Sequence, residues 1–300
     1  MNLDALAGCI ASASCAVTQL STGLIVGMLL FLVTSGLSLI FCVLGIINFA
    51  HGAFYMLGAY FAFTAYAATD SFAAAMLAGA VGVGVVGILF ERLVMSRVYG
   101  RDLLMQLLVC YAAVLILDDL VKLVWGAEYK LMGMPEASAL PPFEVMGGFI
   151  PGYYLFMLAA SLGTGLLLWL GINRTRTGKI IRALAVNPQM VGALGINTAL
   201  LYAGVFGLGC VLAGAAGALA APIRTLTPGM GLSILIESFI VTVIGGMGSI
   251  AGAFIAAVLV GLTRSFGSIG FPLFVDGAMF GLMALVLVVR PSGLLGVRTG

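Results

Sequence analysis

Uncharged, strongly apolar stretches of membrane-spanning length recur along this chain from residue 19 to residue 289. A helix that crosses a bilayer needs about 20 consecutive apolar residues, so this recurrence predicts a chain that crosses the membrane many times. The composition agrees, because 62% of the residues are hydrophobic and 8% are charged, whereas soluble globular proteins have about 25% charged residues. The mean hydropathy is +1.22. The pattern therefore predicts an all-α polytopic membrane protein and excludes a soluble globular fold.

The apolar stretches predict eight to nine transmembrane helices in a single transmembrane domain that covers residues 1–300. They lie near residues 22–46, 53–69, 72–94, 103–125, 154–172, 199–221 and 274–289, with a glycine-broken pair between 233 and 263. The N-terminus lacks the positively charged start of a signal peptide, so we expect it to be mature sequence.

Lysine and arginine cluster in two of the predicted connections, and such clusters mark the cytoplasmic side of a membrane protein. One cluster lies in residues 92–101, and the other lies in residues 172–197. Counting the crossings from these two loops places the N-terminus outside, and it places the tail with Arg290 and Arg298 inside. The proline-rich segment 126–153 then becomes an external loop.

The five cysteines are scattered along the chain and show no metal-ligand spacing. We therefore expect them to pack in the apolar core; they are Cys9, Cys15, Cys42, Cys110 and Cys210. The chain has one histidine, so no second histidine can share a metal ion with it. We expect no cofactor, no metal site and no nucleic acid partner.

An internal similarity joins two segments that are 200 positions apart. Residues 38–54, SLIFCVLGIINFAHGAF, match residues 238–254, SFIVTVIGGMGSIAGAF, at seven of 17 positions. In each copy an apolar run meets a flexible element, NFAHG or GGMGSIAG, and then continues as a helix of small residues. The pattern predicts two glycine-broken helices that form an internal repeat. Transporters build substrate sites from such broken helices, although two ordinary glycine-rich packing helices would give the same pattern.

The transporter interpretation places the residues at both breaks along a translocation path. These residues are Asn48, His51, Gly52, Tyr55, Gly245, Gly246, Gly248 and Ser249. His51 would either satisfy free backbone groups at the first break through hydrogen bonds or contact a solute, since a lone histidine is a poor metal site. Asn48 would cap the following half-helix, whose positive N-terminal end could face a substrate carboxylate.

Three acidic residues stand inside or near the predicted spans, where a charge indicates a functional role by default. Asp118 and Asp119 lie four and three residues before Lys122, so either carboxylate can pair with it. Such a pair at the membrane interface is the plainer interpretation, and recognition of an ammonium group is the alternative. Glu237 precedes the second break, where it either lines the same cavity or lies at the interface.

The basic segment 172–197 carries signals for short helices. Asn187 is a typical N-cap residue, Pro188 fits the first helical position, and Gly195 can end the helix in a left-handed conformation. Apolar and basic groups side by side suit docking of a partner, whereas a simple positive-inside anchor would explain the charges but not the caps. The nearby TGKI lacks the other residues of a phosphate-binding loop, so we expect no ATP binding by this chain.

Four segments, in this order along the chain, match a known family: INFAHGAFYMLGAY, TRTGKIIRALAVNPQMVGALGIN, VIGGMGSIAGAFIAAVLVG and RPSGLLG. They resemble the membrane permease subunits of the branched-chain amino acid class of bacterial ABC importers. The resemblance implies a multi-pass permease of the bacterial inner membrane. It also implies the partners of such a permease, which are a second, homologous permease subunit, cytoplasmic ATPase subunits and a periplasmic solute-binding protein.

The same resemblance implies that the segment 172–197 couples the permease to an ATPase. The matching positions are Arg176, Gly178, Arg182, Asn187, Pro188 and Gly195. Members of the family commonly carry glutamate where this chain has Ala53, and relatives import urea, short amides or small carboxylic compounds. The solute therefore stays open within the class of small polar molecules.

The resemblance thus implies a non-catalytic subunit that forms half of a translocation pathway for branched-chain amino acids or similar small polar solutes. One alternative is a self-sufficient channel or ion-coupled transporter for urea, ammonium or an amino acid. Another alternative is a structural or assembly subunit. The capped basic loop favours the importer, because a self-sufficient transporter would need no surface that docks an ATPase.

Overall fold

The computed structural model describes residues 3–135 and 141–296, and most of these residues are helical. The α-helices are α1 (Leu3–Ala11), α2 (Ala13–Leu44), α3 (His51–Thr69), α4 (Phe72–Leu77), α5 (Val83–Leu93), α6 (Leu103–Trp125), α7 (Gly152–Arg174), α8 (Arg176–Val186), α9 (Pro188–Ala193), α10 (Thr198–Ala220), α11 (Met230–Gly245), α12 (Ile250–Gly270) and α13 (Val275–Val289). The shorter elements are a π-helical turn (Ala78–Gly82), two 3-10 turns (Met95–Arg97 and Pro272–Phe274) and two strands that form an antiparallel hairpin, β1 (Phe143–Val145) and β2 (Gly148–Ile150).

Six helical stretches in the described part of the chain are long and apolar enough to cross a membrane. They are Ala13–Leu44, Phe72–Arg97, Gly152–Arg174, Thr198–Ala220, Ile250–Gly270 and Pro272–Val289. The other predicted crossings coincide with α3, α6 and α11. The predicted all-α polytopic fold is therefore confirmed. Of the predicted tail, Arg298 lies outside the described residues, as does the stretch 136–140 of the predicted external loop.

Helix α2 forms the axis of the bundle, because other helices bury it along most of its length. With 32 residues it is about 48 Å long. Its first turns pack against the hairpin, where Gly148 lies on Ser14. Its last turns pack against α8 and α9, where Val43 and Leu184 belong to one apolar cluster. We call these two ends of the bundle the hairpin end and the α8 end.

Glycines let the central helices approach one another at backbone contact. A side chain on Gly58 of α3 would meet the Gly214 backbone of α10 at 2.5 Å. A side chain on Gly27 of α2 would meet the Ala257 carbonyl oxygen of α12 at 2.7 Å. Because lipid gives helices no hydrophobic reason to associate, close backbone contact through small residues is what holds a membrane bundle together.

Both predicted helix breaks are present. The first, residues 45–50, separates α2 from α3, and the second, residues 246–249, separates α11 from α12. Gly45 (φ 68°) and Gly246 (φ 95°) turn the chain out of the preceding helix, a conformation that glycine adopts without the penalty of a side chain. The two predicted glycine-broken helices are therefore confirmed at the predicted positions.

A third non-helical segment, residues 221–229, separates α10 from α11. The predicted spans leave a connection here, but its return into the bundle was not predicted. Helix α10 follows α9 at the α8 end and reaches the opposite end, where Leu226 pairs with Lys130 in the connection before the hairpin. Helix α2 runs in the other direction. The segments 45–50 and 221–229 therefore return into the bundle from opposite ends, so α2–α3 and α10–α11 are inverted units of the kind found in transporters.

The cysteine prediction was right for three residues, since Cys9 is also buried, and wrong for Cys42 and for Cys15, which is only half-buried. Cys110 and Cys210 are buried, but Cys42 is exposed. Cys9 of α1 and Cys15 of α2 form a disulfide, with Cα atoms 5.1 Å apart. In one continuous helix a separation of six residues would place them about 9 Å apart along the axis. The chain therefore bends between α1 and α2, and the sequence pattern did not predict this bend.

Candidate functional site

Helices α3 and α11 begin next to each other in the interior of the bundle. Gly52 packs on Gly231, so a side chain on either residue would collide with the backbone of the other. Just before Gly52, His51 contacts Val33 of α2, about three turns before the end of that helix. Val33 thus lies about 16 Å from the α8 end of α2, and this distance is about half the thickness of a bilayer core, which is about 30 Å. We call this place, where Gly52 meets Gly231 and His51 meets Val33, the mid-depth junction.

His51 is fully buried at the mid-depth junction. Its Nε2 lies 3.0 Å from the Val33 carbonyl oxygen, and its Nδ1 has no partner among the described residues. A carbonyl oxygen only accepts, so Nε2 donates and the neutral ring leaves Nδ1 as a free acceptor. The imidazole thereby ties the start of α3 to α2, which fits the predicted hydrogen-bonding role. Among the described residues, no group of three or more potential metal ligands comes together.

Asn48 is buried in the first break, but it is not the N-cap of α3. The N-cap is Ala50, whose N–H donates to Asn48 Oδ1 at 3.1 Å. The His51 N–H donates to the Asn48 carbonyl oxygen at 3.1 Å. Asn48 thus closes the turn that precedes α3, and the prediction that it caps the helix is wrong, because the N-cap lies two residues later. Its Nδ2 has no partner among the described residues, so a second buried polar atom at this depth is free.

Tyr55 lies one turn after His51 on α3 and is also buried. Its hydroxyl has no hydrogen bond of good geometry within the described chain. The guanidinium of Arg224, in the returning segment 221–229, lies close enough to interact with that hydroxyl, and Arg264 of α12 lies within electrostatic range. Sequence reasoning selected Tyr55 but missed both arginines.

Glu237 lies in the middle of α11, where its side chain is buried and pairs with Arg264 of α12. The interpretation of Glu237 as an interfacial group is therefore wrong, because an interfacial carboxylate would be solvated. The second oxygen, Oε2, has no partner among the described residues. The missed signal was Arg264 itself, a lone charge in an otherwise apolar helix of 21 residues, which is a functional indication by default.

The two neighbouring aspartates of α6 have different surroundings. Asp119 accepts a hydrogen bond from Lys122 at 2.9 Å, and both side chains are largely exposed, which confirms a surface pair of small energetic value. Asp118 lies instead against the backbone of Gly229, the N-cap of α11. A carboxylate at that place faces the positive end of the α11 dipole. Asp118 therefore helps to hold α11 at the mid-depth junction.

The residues of the second break lie apart from the mid-depth junction. Gly248 packs against Cys42 near the end of α2, so this break is at the α8 end. Ser249 accepts a hydrogen bond from the Gly252 N–H at 3.0 Å and caps α12. The structure thus divides the eight predicted path residues into two groups, one at mid-depth and one at the α8 end.

The segment after α13 closes the second break. The Leu294 N–H donates to the Ile244 carbonyl oxygen at 2.8 Å, and the Leu295 N–H donates to the Gly245 carbonyl oxygen at 3.1 Å. Gly246 packs against the backbone of this segment at Gly293. The RPSGLLG motif therefore satisfies the carbonyl groups that the end of α11 leaves free.

The predicted caps of the basic segment are confirmed. Asn187 accepts a hydrogen bond from the Met190 N–H at 3.0 Å, Pro188 occupies the first position of α9, and Gly195 has a φ of 79°. An unpredicted cap starts α8, where Thr175 accepts a hydrogen bond from the Gly178 N–H at 3.0 Å.

Gly178 and Arg182 join α8 to the end of α7. Gly178 packs so closely on the last turns of α7 that a side chain would collide with the Ile172 carbonyl group. Arg182 donates a hydrogen bond to Asn173 Oδ1 at 3.1 Å. Arg176, the first residue of α8, is exposed. The six predicted coupling residues thus lie on one pair of short helices, and at least two of them fix its position.

Helices α8 and α9 have one buried face and one exposed face. Leu184 and Val191 pack against the ends of α2 and α10. Val186, Met190 and Leu194 point away from the bundle and are 86%, 65% and 75% exposed. Four basic residues of the same segment are also exposed; they are Arg174, Arg176, Lys179 and Arg182. We call Val186, Met190 and Leu194 the exposed α8–α9 face.

Comparison with known proteins identifies relatives along almost the whole chain. A family model described as branched-chain amino acid transport system permease component matches residues 19–289. The high-affinity branched-chain amino acid transport system permease protein BraD of Pseudomonas aeruginosa is 33% identical over 297 residues, which cover 93% of this chain and 95% of BraD. The corresponding permease protein LivH of Escherichia coli K12 is 29% identical over 300 residues, covering 93% and 94%.

One solved structure shares the fold. PsaBC from Streptococcus pneumoniae in complex with Fab matches with a TM-score of 0.51 over 96% of this chain and 95% of that chain. The sequence identity is 12%, so this similarity concerns the arrangement of helices alone.

Proposed function

Because the chain belongs to the family of branched-chain amino acid transport system permease components, we propose that it moves branched-chain amino acids or similar small polar solutes across the bacterial inner membrane. It is a multi-pass permease subunit of an ATP-driven importer and is not itself an enzyme. The observation that carries the proposal is the mid-depth junction, where two inverted half-helices meet beside buried polar atoms that have no partner among the described residues. Non-helical backbone at this depth is stable only where protein or a water-filled cavity covers it.

The two groups of predicted path residues have different roles in this proposal. Asn48, His51, Gly52 and Tyr55 support the wall of the path at the middle of the membrane. The glycines of the second break and Ser249 form its inner end, where the segment after α13 covers the turn. The importer selects its solute mainly outside the membrane, on a periplasmic binding protein, so the path itself needs only weak contacts.

The exposed α8–α9 face is the proposed docking site of the cytoplasmic ATPase. Three large apolar side chains that point into water on two short helices are unfavourable unless a partner covers them. Basic residues of the same segment supply charge complementarity to an acidic groove on the partner. The buried side of α8 and α9 contacts α2 and α10, the two helices that lead into the inverted units. A displacement of α8 and α9 by the ATPase would therefore reach the mid-depth junction through packed helices.

A second, homologous permease completes the path in this proposal. Helix α11, which begins at the junction, and the following helix α12 leave large apolar side chains exposed, among them Leu232 and Ile236 of α11 and Ile255 and Leu259 of α12. Covering these side chains with a second copy of the same fold would enclose the junction between two subunits. The periplasmic binding protein then docks on the hairpin end.

The test is uptake of L-leucine by the complete importer in proteoliposomes. We expect uptake to require ATP together with the loaded binding protein. The variant Met190→Asp should reduce both the amount of ATPase that copurifies and the rate of uptake by at least about tenfold, because a carboxylate would be buried without a partner.

The matched control is Met146→Asp in the hairpin, since Met146 is 77% exposed and receives the same charge at the other end of the bundle. This control should retain the ATPase. Passive uptake by the chain without any ATPase would contradict the proposal, and it would instead indicate a self-sufficient channel.

A further inference from the structure

One cation near the mid-depth junction belongs to neither side-chain ion pair of the described residues. Within the described residues the side-chain ion pairs are Lys122 with Asp119 and Arg264 with Glu237. Arg224 belongs to neither pair, although it is partly buried in the returning segment 221–229. A charged group inside a membrane domain is costly and commonly pairs with another charge or serves a substrate. Among the described residues the Arg224 guanidinium therefore has no carboxylate within ion-pair distance.

The partly buried Arg224 side chain extends toward Tyr55 of α3. It follows the end of α10 directly, and its N–H donates to the Ala220 carbonyl oxygen at 3.0 Å. Its guanidinium reaches the buried Tyr55 hydroxyl, which has no hydrogen bond of good geometry among the described residues. Tyr55 lies one turn from His51, whose Nδ1 is also free. Arg224 thus lies beside the buried Tyr55 hydroxyl, one helical turn from the buried His51.

We propose that Arg224 binds the carboxylate of the transported solute at the mid-depth junction, with the Tyr55 hydroxyl as a second donor. The solute class is then a small organic carboxylate, which includes the amino acids. This inference rests on the transport function proposed above and assigns the group that contacts the solute. Arg264 contributes positive potential from α12, while Glu237 holds it in place.

The chemistry of the guanidinium fits this ligand. Arginine presents several N–H donors in a planar fork that matches a carboxylate, and such charge-assisted bonds are stronger than neutral ones. The start of α11 adds the positive end of a helix dipole nearby. Asp118 occupies the Gly229 side of that helix start.

The inference can be tested without the binding protein, by saturation-transfer NMR on the permease and ATPase complex in nanodiscs. The probes are L-leucine, 4-methylpentanoate and L-leucinamide, which differ in whether a carboxylate is present. We expect the wild-type complex to bind both carboxylates and to bind L-leucinamide more weakly. Arg224→Gln should weaken binding of both carboxylates by about tenfold or more and leave L-leucinamide unchanged. Arg224→Lys should fall between these two results.

The matched control is Lys122→Gln, which removes one positive charge from the exposed pair on α6. It should bind all three probes like the wild type. The inference is overturned if the wild-type complex binds no carboxylate, or if Arg224→Gln binds the carboxylates as well as the wild type does. Measuring uptake separates the two proposals. If carboxylate binding depends on Arg224 but the importer shows no ATP-driven uptake of L-leucine, the transport function is refuted and the binding site is supported.

Discussion

Replacing Gly52 by alanine tests whether the two half-helices meet as closely as described. The added Cβ would collide with the Gly231 carbonyl oxygen and would lie 2.9 Å from both the Gly231 carbonyl carbon and the Leu235 Cβ. The atoms in the way are mainly backbone atoms, which cannot rotate aside as a flexible side chain can. Helix α3 or α11 must therefore shift as a unit.

The expected magnitude follows from this geometry. Overpacking a well-packed core by one carbon costs about 1–3 kcal/mol of unfolding free energy. Since 1.4 kcal/mol corresponds to a factor of ten, the closed junction should lose stability by about 5- to 150-fold. We expect Gly52→Ala to lower the free energy of unfolding in detergent by this amount and to reduce the rate of L-leucine uptake by the reconstituted importer.

The matched control is Gly204→Ala in α10, where no other atom lies within 4 Å of the added Cβ. There the same change should stabilise the helix by about 0.5–1 kcal/mol, because alanine loses less conformational freedom than glycine. The two variants should therefore move the unfolding free energy in opposite directions. A Gly52→Ala variant that is as stable and as active as Gly204→Ala would refute the close contact at the junction.

Three further predictions concern other parts of the molecule. Asn187→Ala should weaken α9 by about 1 kcal/mol and lower the amount of ATPase that copurifies. Asn187→Asp keeps the cap and should retain the ATPase. Equal amounts of ATPase with both variants would contradict the role of the cap. Cys9 and Cys15 should resist maleimide labelling until a reductant is added, and labelling without reductant would show that they are not linked. Glu237→Gln should lower the unfolding free energy by about 1–3 kcal/mol, because Arg264 then lacks its charged partner. The double variant Glu237→Arg with Arg264→Glu restores the opposite charges and should recover most of this loss. No recovery would argue against a direct pair.

Structural features that depend on a few neighbouring residues could be predicted from the sequence. The caps at Asn187 and Gly195 were predicted correctly, because an N-cap and a left-handed stop depend on a few neighbouring residues. The helix breaks were predicted for the same reason, since glycines that interrupt an apolar run act on the backbone where they stand. These features require no knowledge of which helices pack together.

The depth of a break was not predictable from the sequence. The internal similarity related residues 38–54 to residues 238–254, but in the bundle the second break lies at the α8 end. The segment that returns to mid-depth opposite residues 45–50 is 221–229, in which Arg224 lies by Tyr55 of α3 and Gly229 lies by Asp118 of α6. Depth depends on how far each segment folds back along its neighbours, and sequence spacing carries no such information.

Partnerships between distant charges were also beyond the sequence. Glu237 and Arg264 lie on different helices, and nothing in their separate surroundings indicates that they pair. Arg224 was overlooked because it follows an apolar run, where a cation is expected at an interface. Its proximity to Tyr55 emerges only when α3 and the returning segment are placed side by side.

The central claim is that a water-accessible path passes the mid-depth junction. It can be tested by labelling Ser233→Cys, an exposed position in the first turn of α11, with a membrane-impermeant thiol reagent. The control is Leu167→Cys on α7, which is 70% exposed and close to Gly165, whose contact with Phe31 of α2 places it at similar depth. In the complete importer, with its free cysteines replaced by alanine, we expect labelling at position 233 but not at 167. Equal protection of both positions would show that no aqueous path reaches the junction.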